Sequence, residues 1–226
     1  MRARLEIATL PRSRRSKWPT SAVAIAITGA VLITPVIPTG TALAQEATPA
    51  PATCDVEPRP ITFLADLLAA PKPEVTPTPV AGVPDGTDVT DPVVRAEVEK
   101  VVQTLITCVN QGEILRAFSL YDDEFVRRLI DPDGIMGSEI AIEVGKSLAK
   151  TVPAGPEDVI TLDEIVLVRA LPDGTIAVVF RTHGGPDRDQ DDSQIDLFVL
   201  RKVNDRWLII DGLTDLDPES LPTPTA

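Results

Sequence analysis

A helix-patterned stretch followed by a series of strands constrains this chain more than any other feature. Residues 91 to about 150 repeat their apolar positions at helical spacing, and four strand-patterned runs follow between Val159 and Asp215. Helices first and a strand meander after read as one α+β domain, its helices packed on one face of an antiparallel sheet of about four strands. Such a sheet can curl around its helices and leave a pocket between them.

The residues at each boundary support that order. Asp91-Pro92 pairs a good helix N-cap with a residue suited to the first helical position. Val94, Val98, Val101, Leu105 and Cys108 then form one stripe, widened by Val102, Ile106 and Val109. Asn110-Gln111-Gly112 stops the helix. Ile114, Leu115, Phe118 and Tyr121 share the face of a second helix, and Asp122 or Asp123 caps a short third turn. After the turn Asp131-Pro132-Asp133-Gly134, the four-residue spacing of Ile140, Val144 and Leu148 predicts a further helix that Pro153 ends. The period then changes. Leu171-Pro172-Asp173-Gly174 joins two apolar strands, and Asn204-Asp205 joins two more. Ile195, Leu197 and Val199 alternate with Asp196, Phe198 and Leu200, so both faces of the sheet carry apolar groups. Helices cover one face; a dimer partner or the segment 54–70 would cover the other.

The N-terminal 44 residues read as an export signal. Arg12, Arg14, Arg15 and Lys17 precede an uncharged stretch whose apolar core is Ala22 to Ile33, and Ala42-Leu43-Ala44 offers small residues for cleavage before Gln45. A retained membrane anchor is the alternative, but a spanning helix needs about 20 mostly apolar residues, and Pro35 and Pro38 cut this run short. Ser13-Arg14-Arg15 leaves Sec and twin-arginine export both open. Six of the 21 basic residues but only one of the 34 acidic residues lie in this segment, so the remainder is more acidic than the −13 of the whole chain. That surface repels nucleic acid and anionic lipid heads. The rest divides into an Ala/Thr/Pro-rich spacer (45–53) and a short amphipathic segment (54–70). A linker follows (71–90) with Pro71, Pro73, Pro77, Pro79 and Pro84, then the domain (91–215) and a tail expected to fray (216–226).

Cys54 and Cys108 are the two cysteines. An oxidising compartment permits one intramolecular bond, which would staple the 54–70 segment to the end of the first long helix. No C-x-x-C motif is present, and one histidine, His183, is too few for an ordinary zinc set, so neither a metal nor a cofactor is expected. The loop Asp187 to Ser193 has a D-x-D-x-D pattern, but Asp192 stands where a calcium loop needs Gly and Phe198 where it needs Glu. It reads as a solvated acidic loop.

Two stretches carry a family resemblance. Cys108-Val109-Asn110-Gln111-Gly112-Glu113, continuing into Ala117-Phe118-Ser119-Leu120-Tyr121-Asp122-Asp123-Glu124-Phe125, resembles the helix entry of the NTF2-like superfamily, which includes SnoaL-like proteins. Val203-Asn204-Asp205-Arg206-Trp207-Leu208-Ile209 resembles that family's penultimate hairpin. The resemblance covers about residues 91–215. It implies a cone: a strongly bent sheet around helices, with a pocket at the wide end. Members include isomerases, cyclases and hydrolases as well as non-catalytic binding and dimerisation modules, so fold alone leaves function open. Asp211 is the weak candidate for a general acid or base, because it follows Ile210 and shares a face with Ile209 and Trp207. Phe118, Tyr121, Phe125 and Trp207 are candidate pocket residues, and Arg181 a candidate anion ligand. No convincing acid/base pair accompanies them. The expectation is a non-catalytic module that binds a small, partly apolar ligand or a protein. An enzyme using Asp211 and a structural dimer formed through the sheet are the alternatives.

Overall fold

The structure, a computed structural model, describes residues 53–72, 80–186 and 192–221. The expected signal 1–44, most of the spacer and most of the acidic loop lie outside them. Among these described residues five α-helices and five strands follow in chain order: α1 (Phe63–Ala69), β1 (Thr87–Asp88), α2 (Pro92–Asn110), α3 (Ile114–Ala117), α4 (Asp123–Ile130), α5 (Ser138–Leu148), β2 (Ile160–Ala170), β3 (Ile176–Gly184), β4 (Ser193–Val203) and β5 (Arg206–Leu213). The strands form one antiparallel sheet in the order β1-β2-β3-β4-β5. The α+β architecture is as expected, but the sheet has five strands. Thr87–Asp88 pairs with Arg169 and Ala170 at its edge, and a two-residue strand in a proline-rich stretch leaves no alternation to read.

Local signals place the helices. The Asp91 carboxylate accepts the Val93 N–H at 2.8 Å and starts α2. Val98, Val102, Leu105 and Cys108 form its buried stripe. Gly112, at φ +69°, ends it, and a Cβ there would overlap the Val152 backbone. The second helix is shorter than expected: α3 passes into one 3-10 turn over Phe118–Leu120. Asp122 caps α4 by accepting the Glu124 N–H. Its own N–H donates to the Ile209 carbonyl at 2.8 Å, which ties α4 to β5.

Strand alternation divides the core. Ile176, Val178 and Phe180 of β3, with Leu200 and Ile209, face α2. Ala177 and Val179, with Ile195 and Leu197, face the other way. Register shifts in β2 against β3, and between Val199 and Leu200 against β5, are bulges that bend the sheet. The Asn204–Asp205 turn has positive φ at both residues, which suits a tight hairpin.

The cover of the outer face differs from expectation. Val80, Val83, Leu216 and Leu221 of the same chain pack there. The Leu216 N–H donates to the Ile195 carbonyl at 2.8 Å, so this part of the C-terminal segment is pinned to the sheet. The segment 54–70 docks on the helices instead. Phe63, Leu64, Ala65 and Leu67 pack with Val126 and Ala141. Cys54 and Cys108 are disulfide-bonded with a Cα–Cα distance of 4.9 Å, and Ser119 Oγ donates to the Glu57 carbonyl at 2.7 Å.

In α5, Val144 and Leu148 pack toward α1 as expected, but the start of the stripe departs. Ile140 is exposed, whereas Ala141 and Gly145 are buried. Small residues face inward because α1's entry lies so close that a Cβ on Gly145 would overlap the Ile61 carbonyl oxygen. Gly145→Ala should therefore cost about 2 kcal/mol by overpacking, despite the better helix propensity of alanine. A urea melt checks this; a gain in stability would show that α1 yields freely.

Candidate functional site

The long inner faces of β3 and β4 extend beyond the part filled by α2 side chains. A cavity of about 290 Å³ opens there. Leu105, Ile106 and Val109 of α2 form one wall, and Phe180 and Phe198 form the facing one. The two rings pack at 4.9 Å between centroids. Beyond them the strands turn polar on the same face: Thr182, Gln194 and Asp196 line the cavity, with Thr214 just past β5. All three strand residues are buried. Thr182 pairs with Gln194, and Phe180 with Asp196, across the β3–β4 ladder. Asp196 Oδ1 accepts hydrogen bonds from Gln194 Nε2 and, at 3.1 Å, from the Asp215 N–H. The carboxylate is thus held in place by its own chain.

Tyr121 completes the wall. It is positioned from both sides: its backbone bridges to Ile209, and its ring packs edge-on against Phe125 at 5.4 Å and Phe118 at 6.2 Å. Burial pushes its phenol above the ordinary range, so the hydroxyl stays protonated.

Of the residues singled out in the sequence, Tyr121 alone lines this cavity. Phe118 packs toward α1 and Phe125 is in the α2 core; their helical spacing is that of core residues. Trp207 lies toward the start of α2, where its Nε1–H donates to Glu97 Oε2 at 2.8 Å. That bond, and then Lys202, hold the Glu97 carboxyl below its usual range. Arg181 pairs with Ile195 of the outer face and lies 3.4 Å from Glu164, half-exposed. His183 meets Asp163 at the surface.

Asp211 is buried but on the wrong side for cavity chemistry. The bulge between Val199 and Leu200 breaks alternation in β5: Ile209 faces α2, whereas Asp211 pairs with Val199. Its Oδ2 accepts the Val80 N–H at 2.8 Å, and its Oδ1 lies 3.2 Å from Arg128, which also donates to the Ile210 carbonyl at 2.9 Å. Asp211 is a structural clasp between the Val80 segment, β5 and α4. The acid that lines the cavity, Asp196, was missed as a site residue. Its alternation with Phe198 and Leu200 was the signal that could have found it.

Two larger grooves, of about 540 and 700 Å³, follow the 57–60 segment. They are open and charged, with Arg116 paired to Glu113 and Arg59 to Asp123. Among the described residues no group of three or more His, Cys, Asp and Glu side chains could hold a metal ion.

No family model matches the sequence, and no curated protein matches it. Solved structures do. One is an NTF2-like protein of unknown function from Shewanella oneidensis MR-1, at 13% identity, covering 54% of this chain and 98% of that one with a TM-score of 0.33. Another, from Xanthomonas campestris, is described as a calcium/calmodulin dependent protein kinase II association domain. It is 18% identical, covers 62% of this chain and 99% of that one, and has a TM-score of 0.34. At this overlap neither carries a ligand, a partner or a reaction to this chain. The order of elements, with helices before an antiparallel sheet, is nonetheless the one the NTF2-like resemblance implied.

Proposed function

We propose that this chain is an exported module that binds a compact, largely apolar ligand in the cavity between α2 and the β3–β4 ladder. The observation that carries the reading is the cavity wall. Phe180, Phe198, Leu105 and Val109 supply apolar contact, and Tyr121, Thr182 and Gln194 supply a few polar groups. Small-molecule sites combine these two features. The volume of about 290 Å³ lies at the lower end of the usual range, so the ligand is small. Binding without chemistry is the better reading because, among the described residues, no second carboxylate and no histidine, lysine or arginine lines the cavity to complete an acid/base pair with Asp196, whose Oδ1 is held by the Gln194 amide and the Asp215 N–H. Asp211, on the opposite face, has no part in this reading.

Export is supported by the basic and apolar N-terminal sequence and by the Cys54–Cys108 disulfide, a bond that persists in oxidising compartments. Among the described residues no helix is long and apolar enough to cross a membrane.

A neutral fluorescent probe, N-phenyl-1-naphthylamine, tests the site without repulsion from the acidic surface. Ile106→Trp fills the cavity from α2. It should weaken probe binding at least tenfold while the far-ultraviolet circular dichroism stays that of the parent. Equal binding by parent and variant would place the probe elsewhere and remove the proposal.

A further inference from the structure

The polypeptide that lines the cavity at Thr214 goes on to cover the far side of the sheet. Thr214 lines the cavity. Asp215, the next residue, has φ +61°, a left-handed conformation that turns the chain sharply. Its N–H donates to Asp196 Oδ1 at 3.1 Å, inside the cavity wall. Leu216 then bonds through its N–H to the Ile195 carbonyl, and Leu216 and Leu221 lie over Ala177, Val179, Ile195 and Leu197 on the opposite face. Asp217 caps the 3-10 turn Pro218–Ser220 by accepting the Glu219 N–H at 2.9 Å, which gives the strap local order.

We propose that occupancy of the cavity and closure of this strap, residues 214–221, are coupled. The inference rests on the binding reading above and adds its regulation. A ligand packed beside Thr214 shields the Asp196–Asp215 hydrogen bond from water and strengthens it, because such a bond gains in a drier setting. That bond holds Asp215 in its left-handed turn, and the turn delivers Leu216 to the outer face. Coupling is reciprocal: a ligand that favours the closed strap binds less well when the strap is loosened. The strap therefore reports on the cavity at the surface through which a partner would reach the sheet, while touching the ligand only through Thr214.

Amide hydrogen exchange of the whole chain, with and without saturating N-phenyl-1-naphthylamine, tests the coupling. The peptide spanning 214–221 should exchange at least threefold more slowly with the probe bound. Leu221→Ala, which loosens the strap and lines no part of the cavity, should weaken probe binding at least threefold. Probe binding with unchanged exchange in 214–221 would overturn the coupling and leave the binding reading intact. Absence of probe binding in the parent would overturn the binding reading. The tie itself is then read from Asp196→Ala without any probe: exchange in 214–221 should rise at least tenfold, and an unchanged rate refutes the link.

Discussion

Replacing Cys54 and Cys108 together by alanine should lower stability by about 4 kcal/mol, the loop-entropy estimate for a bond that closes a loop of some 55 residues. A domain of this kind has about 5–15 kcal/mol in all, so the loss is a large share. Both sulfurs sit in the core against α2, so the variant also loses buried contacts there. The effect should be unevenly spread. The segment leading to α1 keeps the Ser119–Glu57 and Arg59–Asp123 hydrogen bonds, but loses the covalent tie that holds its start at the end of α2. A urea melt should show the lower midpoint. Amide exchange should rise in Phe63–Ala69 more than in β3 or β4. Coincident melts of the oxidised and dithiothreitol-reduced parent would show that the bond contributes little.

Asp211→Ala should cost about 3 kcal/mol and leave probe binding in the cavity unchanged. Removing one partner of a largely buried ion pair strands the other. Here it leaves the Arg128 guanidinium without its carboxylate and the Val80 N–H without its acceptor. Asp211→Asn should cost less, because the amide oxygen can still accept from Val80. This order, alanine worse than asparagine with binding constant in both, is that of a clasp. Loss of probe binding at parental stability would instead tie Asp211 to the cavity.

The contrast between Asp211 and Asp196 shows what could be read from residues alone. Caps and turns were legible because their causes are local: Asp91 before Pro92, Asp122 before α4, and Asn204–Asp205 between β4 and β5. The two cysteines had one possible pairing. The faces of the strands were legible only where period two held. One bulge beside Ile210 sends Asp211 to the outer face, and nothing in the residue types announces it. In β4, where alternation is unbroken from Gln194 to Leu200, the neighbours of Asp196 place it on the face of Phe198 and Leu200. In α5, Val144 and Leu148 pack inward as their spacing implies and Ile140 does not, for a different reason. Ile140 has the right spacing, but the close approach of another backbone selects Ala141 and Gly145. That demand comes from α1, far away in sequence. The segments over the outer face, Val80 to Val83 and Leu216 to Leu221, are short apolar pieces in proline-rich surroundings and carry no period at all.

One contact described for α4 bears on how the molecule resists self-templating. β5 is an edge strand, and exposed edges invite a further strand from another chain. Here the Asp122 N–H occupies the Ile209 carbonyl, and Arg128 occupies the carbonyl of Ile210. The middle of the rim is thereby capped by side chain and helix entry. A strand adding at this edge would first have to pull α4 away, so the guanidinium that holds Asp211 also shields the β5 rim.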